Sequence, residues 1–165
     1  MFNIGETVLH PLHGAGVIEG IESKKILNRL AKFYIMSLPD SSLEKLFIPV
    51  DNAENLGVRY LIDEETIPEI ETFLKEKYTL HINDKWKMQF KKQETKVNSG
   101  NIMQVAEAYK FLFHKSLMKK LGALDKWLLK KARDIIASEM TFVKNMRFDE
   151  AQNMIKGWVE NSISE

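Results

Sequence analysis

The first 26 residues constrain the fold more strongly than any other part of this chain. The stretch NIGETVLHPLHGAGVIEGIESKKI, residues 3–26, alternates apolar and polar positions and is interrupted by four glycines and one proline. Glycine and proline form the bends between short strands, and they are poorly tolerated inside a helix. The alternation predicts that Val17, and Ile21 with its neighbours, lie on a buried surface. The stretch therefore predicts a small β-rich unit, and it contains no catalytic motif.

Two further β-rich runs follow before residue 60. They are KFYIMSLP, residues 32–39, and EKLFIPV, residues 44–50, and the polar segment between them is predicted to be a turn. Several short strands with glycine bends are typical of a small SH3-like or Tudor-like barrel. We predict the α+β class, with a small β-barrel over residues 1–62 and a compact, all-helical domain of about five helices over residues 63–165.

Helical periodicity begins after residue 62. Thr66 and Glu69 have the spacing of a capping box at the start of the first predicted helix. The second helix is predicted over residues 83–97, and the third runs from Asn101 to a stop at Gly122. In the last two helices, Asp125 is predicted to cap the fourth helix, and Trp127 and Trp158 are predicted to be packing residues. The fifth helix is predicted to begin near residue 149.

Composition excludes several classes of function. The 165 residues include 24 basic and 23 acidic side chains, a net charge of +1, so overall charge does not point to nucleic acid. Cysteine is absent, which excludes a disulfide framework, a thiol nucleophile and a thiolate metal site. The N-terminus lacks an apolar signal core, and no segment approaches the roughly 20 apolar residues of a membrane span. We expect a soluble, cytoplasmic protein with no membrane contact.

Enzymatic and metal-binding motifs are not found in the sequence. His10 and His13 have H-x-x-H spacing, but they flank a turn at Pro11 and have no clustered carboxylates beside them. A structural role is therefore favoured over metal binding. No Ser/His/Asp set, phosphate-binding loop or dinucleotide fingerprint occurs. We expect a protein that is not an enzyme and that has no cofactor and no metal.

Several segments resemble the CarD/CdnL family of bacterial transcription regulators, whose N-terminal signature also occurs in the polymerase-interacting module of transcription-repair coupling factors. The segments are GETVLHPLHGAGVIEGIE (5–22), IPVDNAENLGVR (48–59), the tryptophan at 86, SGN (99–101), VAEAYKFL (105–112) and KKARDIIASE (130–139). Each fragment alone has low specificity. Because they are collinear over both predicted domains, the chain is identified as a member of this family.

The resemblance implies that the barrel binds the β-subunit of bacterial RNA polymerase by strand-to-strand contact. It assigns this contact to Lys24, Lys45, Phe47 and Ile48. Lys24 stands at a position that is basic in characterised relatives, whereas Phe47 replaces an arginine found in some members. We therefore expect backbone pairing and apolar contact to contribute more than salt bridges. A monomer or a weak dimer is expected, because an exposed strand edge can also pair with a second copy.

The resemblance also implies that the helical domain contacts promoter DNA at the upstream edge of the transcription bubble and stabilises the open complex. Trp86 is expected to act as a wedge in the minor groove while basic neighbours hold phosphates, with little sequence readout. The expected DNA-binding residues are Trp86, Lys85, Lys87, Lys91, Lys126 and Lys130. Met88 and Gln89 replace two family arginines. The alternative is that Trp86 and Phe90 form one core-facing stripe, as aromatic residues at helical spacing usually do.

Two other functions are compatible with the sequence. In the first, the protein is an adaptor whose helical domain binds sigma factor or another protein and never touches DNA. In the second, it is an autonomous DNA-binding repressor that does not need polymerase. The near-zero net charge favours a DNA-binding domain held in place by polymerase, because a freestanding DNA-binding protein is usually more basic.

Overall fold

The computed structural model describes residues 1–80 and 86–163, except for the side chains of residues 86–88. Within that part of the chain, five strands precede five α-helices. The strands are β1 (Thr7–His10), β2 (Gly14–Ile26), β3 (Arg29–Ser37), β4 (Lys45–Pro49) and β5 (Arg59–Tyr60). The helices are α1 (Thr66–Lys75), α2 (Trp86–Val97), α3 (Ile102–Met118), α4 (Ala123–Val143) and α5 (Phe148–Glu160). This order confirms the predicted α+β class. We call residues 1–62 the sheet half and residues 63–163 the helical half.

The five strands form one antiparallel sheet in the order β4-β3-β2-β1-β5. The order is open rather than cyclic, and it is compatible with the small Tudor-like unit expected from the sequence. β2 and β3 form a long hairpin whose last pair is Ile26 opposite Arg29. β4 and β5 are the two edges of the sheet, and β4 is the longer of them. The sheet therefore presents one extended strand edge at β4.

The β1-β2 pair separates two hydrophobic cores. One face of the sheet encloses a core that includes Val8, Ile18, Tyr34, Met36 and Ile48. On the other face, Leu9 and Ala15 are paired across the two strands and join the core formed by the helices. A β-unit of about 60 residues has a marginal core of its own. Packing of the helices against its second face supplies the support that such a unit needs.

Part of the predicted burial in β2 is wrong. Ile18 is fully buried, whereas Val17 is only half-buried and Ile21 is exposed. A register shift between Ile18 and Gly20 inserts an extra residue into β2. The prediction assumed unbroken alternation, which puts Val17 and Ile21 on one face, whereas the inserted residue places them on opposite faces of the sheet.

The starts of α1 and α4 also differ from the prediction. Thr66 is the first residue of α1 rather than its cap, and Glu65 at the cap position makes no side-chain hydrogen bond. The chain enters α1 through backbone bonds from Thr66 to Asp63 and from Ile67 to Glu64. These tight turns satisfy the first amides, so no capping box is needed.

Gly122 and Asp125 lie at the start of α4 in roles other than those predicted. α3 already ends at Met118, and Gly122 is the residue that precedes α4. Asp125 lies in the first turn of α4, where its carboxylate accepts a hydrogen bond from Lys115 Nζ at 2.7 Å. Lys115 is buried and Asp125 is partly buried, so this ion pair joins the end of α3 to the start of α4.

The predicted start of the third helix at Asn101 is confirmed, and Asn101 is the residue that caps α3. Its side-chain oxygen accepts hydrogen bonds from the backbone amides of Met103 and Gln104, at 3.0 and 3.2 Å. The observed α2 covers residues 86–97 of the predicted 83–97, and residues 83–85 lie outside the described part of the chain. Within the described residues, no helix combines the length and the apolarity needed to cross a membrane.

Candidate interaction surfaces

Strand β4 presents a backbone edge. It pairs with β3 from Lys45 opposite Ser37 to Pro49 opposite Phe33. On its other side, no strand pairs with it in the part of the chain that the structure describes. Unpaired backbone amides and carbonyls along such an edge are a template for an added strand. β4 ends at Pro49, so the free backbone edge also ends at this residue.

Lys24 and Phe47, both predicted to contact polymerase, lie together on one face of the sheet. The Lys24 Nζ atom lies 3.6 Å from the centroid of the Phe47 ring, a cation–π arrangement. Phe47 is 43% exposed, so the ring is accessible on the side that Lys24 does not cover. Phenylalanine at this position therefore holds the neighbouring cation in place beside the strand edge.

The two other predicted polymerase contacts differ in exposure. Lys45 is exposed and pairs with Glu19 at 3.3 Å. Ile48 is only 1% exposed, because it lies opposite Tyr34 on the face that encloses the sheet core. Its side chain therefore cannot be a contact residue, and only its backbone lies on the free edge.

A bidentate ion pair fixes the sheet half to the helical half. Arg59 Nη1 and Nη2 donate to the two carboxylate oxygens of Glu139, at 2.8 and 3.1 Å. Arg59 Nε also donates to the carbonyl oxygen of Gly100 at 2.7 Å, and the Ile62 amide donates to Glu139 Oε1 at 2.7 Å. Glu139 is fully buried. These bonds connect β5 to α4 and to the turn before α3.

The β1-β2 turn docks on the same helix. The Ala15 amide donates to Ser138 Oγ at 3.0 Å, and this hydroxyl donates in turn to the Ile135 carbonyl at 2.8 Å. Pro11 packs against the backbone of Gly57, where a Cβ atom would come within 2.8 Å of Pro11 Cγ. Gly57 also has a φ of +83°, a conformation that favours glycine. The Ala15–Ser138 hydrogen bond therefore joins the sheet half to the helical half, whereas the Pro11–Gly57 contact lies within the sheet half.

His10 and His13 belong to this interface. The Leu12 amide donates to His10 Nδ1 at 3.2 Å, and the two imidazole rings lie 4.8 Å apart. Burial, assisted by the positive charges of His13 and Lys131, lowers the pKa of His10 to about 4. Among the described residues, no group of three or more histidine, aspartate or glutamate side chains could hold a metal ion. The hydrogen bond gives His10 a structural role.

The predicted DNA-binding residues lie on two helices. Lys91 is exposed on α2 and pairs with Glu94 at 3.3 Å. Lys126 and Lys130 are exposed one turn apart on α4. Lys131 Nζ donates to Asn98 Oδ1 at 2.8 Å and so joins α4 to the turn after α2. Three predicted contacts cannot be placed: Lys85 lies outside the described residues, as do the side chains of Trp86 and Lys87.

The three tryptophans have different environments. Trp158 is 8% exposed in the helical core, which confirms the packing prediction, and Phe90 packs against the same core. Trp127 is 51% exposed, so the packing prediction for this residue is wrong. Its ring lies 5.0 Å from Lys131 Nζ and borders a cleft of about 270 Å³ between α4 and the β3-β4 loop. The next residue, Leu128, takes the buried position on this turn of α4. Helical periodicity could therefore have indicated that Trp127 is exposed.

Comparison with known protein families agrees with this two-part architecture. Residues 2–62 match the model of the CarD-like/TRCF RID domain, and residues 69–156 match that of the CarD C-terminal domain. A polymerase-interacting sheet unit followed by this helical unit defines a class of transcription factor. The chain belongs to the CarD family. It is similar to the "Putative transcription factor YdeB" of Bacillus subtilis (strain 168), with 29% identity over 154 residues, 88% of this chain and 94% of the relative.

Proposed function

We propose that this protein binds the β-subunit of bacterial RNA polymerase through its sheet half and stabilises the open promoter complex through its helical half. The proposed role is regulatory and not enzymatic. One observation carries the proposal: a free strand edge at β4 belongs to a sheet that is joined to the helices by the Arg59–Glu139 pair. Binding at the edge would therefore set the position of the helices.

The polymerase contact is proposed at β4 and its flanking side chains. An extended segment of the β-subunit would add to the β4 edge by main-chain hydrogen bonds, which give affinity without sequence readout. Phe47 and Lys24 supply an exposed ring and an adjacent cation beside that edge. Lys45 adds a second exposed cation on the same strand.

The fixed arrangement of the two halves makes this contact useful for DNA binding. A flexible tether gives a second site an effective concentration in the millimolar range, and binding then loses entropy as the linker becomes ordered. In this protein the Arg59–Glu139 pair, whose carboxylate is buried, and the Ala15–Ser138 bond hold the halves together before any partner is present. A weak DNA-binding surface is therefore already positioned when polymerase binds.

The DNA contact is proposed at the start of α2 and on α4. Trp86 would insert beside unstacked bases at the upstream edge of the bubble, and Lys85, Lys87 and Lys91 would contact phosphates. Lys126 and Lys130 are exposed on α4 and would extend this phosphate contact. Because such contacts favour melted over closed DNA, they shift the population toward the open complex by the difference in binding free energy.

The test measures polymerase affinity and open-complex lifetime on a weak promoter for the same variants. Lys24→Ala with Phe47→Ala is expected to weaken binding to core polymerase. Trp86→Ala is expected to retain polymerase binding and folding but to shorten the open-complex lifetime. Lys130→Gln is expected to reduce the salt dependence of the effect, whereas Lys156→Gln, an exposed lysine on α5, serves as the matched control.

Three results would contradict the proposal. An unchanged lifetime with Trp86→Ala would favour an adaptor whose helices bind protein. Loss of the folded state with Trp86→Ala would place this tryptophan in the core. Tight, sequence-specific binding to duplex DNA without polymerase would favour an autonomous repressor.

A further inference from the structure

The far end of the β2-β3 hairpin projects from the molecule. Every residue from 21 to 30 is exposed, although the strands remain paired down to Ile26 and Arg29. β4 covers β3 only as far as Phe33, so the last four residues of β3 on the turn side, 29–32, extend beyond the edge strand. The hairpin end is therefore an ordered arm with both faces open to a partner.

The tip of this arm is apolar. Leu27 is 94% exposed, and Ile26 and Leu30 on either side of the turn are also exposed. Single exposed apolar side chains are common on protein surfaces and need no explanation. Three of them grouped at the end of a projecting hairpin form an apolar surface whose shape suits insertion into a pocket.

Leu27 is also in an unfavourable backbone conformation. Leu27 and Asn28 have φ values of +47° and +62°, and they form the two-residue turn between Ile26 and Arg29. Such a turn requires a positive φ at both central positions and favours Gly, Asn or Asp. Asn28 satisfies that preference, but a leucine does not. Because its side chain is almost fully exposed, Leu27 gains nothing from packing that would offset the strain.

Strain that the fold does not compensate points to a role in binding. The charge of the arm indicates the kind of partner. Residues 21–32 contain four basic side chains, Lys24, Lys25, Arg29 and Lys32, and one acidic side chain, Glu22. The whole chain has a net charge of only +1, so positive charge is concentrated around the apolar tip. This combination is complementary to an apolar pocket with an acidic rim.

We propose that the hairpin tip is an anchor that inserts Leu27 into an acidic-rimmed apolar pocket on the same polymerase subunit that pairs with β4. This inference rests on the function proposed above. The Lys24 Nζ atom over the Phe47 ring joins the arm to β4, so the tip and the strand edge form one continuous surface. The anchor adds an apolar contact at the end of a backbone-paired interface.

The test substitutes Leu27→Asn in the full-length chain. Asparagine tolerates the left-handed conformation and removes the aliphatic side chain. We expect a rise in Tm of a few degrees, together with about tenfold weaker binding to core polymerase, because burial of a leucine side chain contributes at least that factor. Leu56→Asn is the matched control, since Leu56 is an exposed leucine outside the hairpin, and it should leave affinity unchanged.

The outcomes separate this inference from the proposed function. If wild-type protein binds polymerase, Lys24→Ala with Phe47→Ala weakens the binding, and Leu27→Asn does not, the anchor is wrong and the edge contact stands. If wild-type protein does not bind polymerase, the proposed function fails as well. Sedimentation of the same proteins tests a second copy as the occupant: self-association that Leu27→Asn abolishes would overturn the polymerase anchor.

Discussion

Arg59 and Glu139 lie 80 positions apart in the chain, and their side chains form two parallel hydrogen bonds of 2.8 and 3.1 Å. The carboxylate is fully buried and also accepts the Ile62 amide. Bidentate geometry with additional hydrogen bonds is the arrangement that offsets the desolvation of a buried charge. The pair therefore fixes β5 to α4.

Removing one partner of this pair should destabilise the protein strongly. Arg59→Met leaves the Glu139 carboxylate buried without its guanidinium, and we expect a loss of about 3 kcal/mol in the free energy of unfolding. Urea denaturation at pH 7, followed by circular dichroism, measures this change. The double variant Arg59→Met with Glu139→Gln should lose less than the single variant, because no unpaired charge remains. A loss in the double variant as large as in Arg59→Met would show that the unpaired carboxylate is not the cause.

Ser138→Ala should weaken the contact between the β1-β2 turn and α4. The variant removes the acceptor of the buried Ala15 amide, which we expect to cost about 1–3 kcal/mol of unfolding free energy. Ser116→Ala is the control, because the Ser116 hydroxyl donates to the Phe113 carbonyl one turn back in its own helix. Faster exchange of the Ala15 amide in Ser138→Ala would place the loss at this contact. Equal losses in both variants would argue against an interface role.

Asn101→Ala should destabilise the start of α3 by about 1 kcal/mol, since its side chain satisfies two amides that have no helical partner. Asn101→Ser retains a capping oxygen and should lose only a few tenths of that amount. The measurement is thermal unfolding of both variants against wild type. If alanine and serine have the same effect, the cap does not contribute.

His10 should make the protein less stable as the pH falls. Its pKa is lowered to about 4 in the folded protein, compared with about 6.5 in an unfolded chain. Between these values the unfolded chain binds a proton that the folded protein does not, so unfolding free energy decreases from about pH 6.5 to about pH 4. The full shift corresponds to roughly 3 kcal/mol. Protonation at Nδ1 would also remove the acceptor of the Leu12 amide.

Urea denaturation between pH 7 and pH 4 checks this dependence. His10→Asn keeps an oxygen near the Nδ1 position and does not titrate in this range, so its stability should change less with pH. NMR titration of the wild-type imidazoles gives the pKa directly. A His10 pKa near 6.5 would remove the basis for the prediction.

Local sequence signals were sufficient where one short segment determines the outcome. The glycines and the alternating residues of the first half predicted the strands, and Asn101 predicted the start of α3 because a cap depends only on the next three residues. The wrong assignments at Thr66 and Asp125 have different causes. Each residue suits a cap, but the chain satisfied the first amides in another way at Thr66, and Lys115 on another helix paired with Asp125.

The sequence by itself determined the α+β class, the order of the elements and membership of the CarD family, because these depend on periodicity and on collinear local segments. Only the tertiary structure decided how the halves are joined and which side chains are exposed. The Arg59–Glu139 pair and the Lys24–Phe47 contact depend on residues that are distant in the chain. Local periodicity carries no information on which distant side chains will meet, so folding alone determines these contacts.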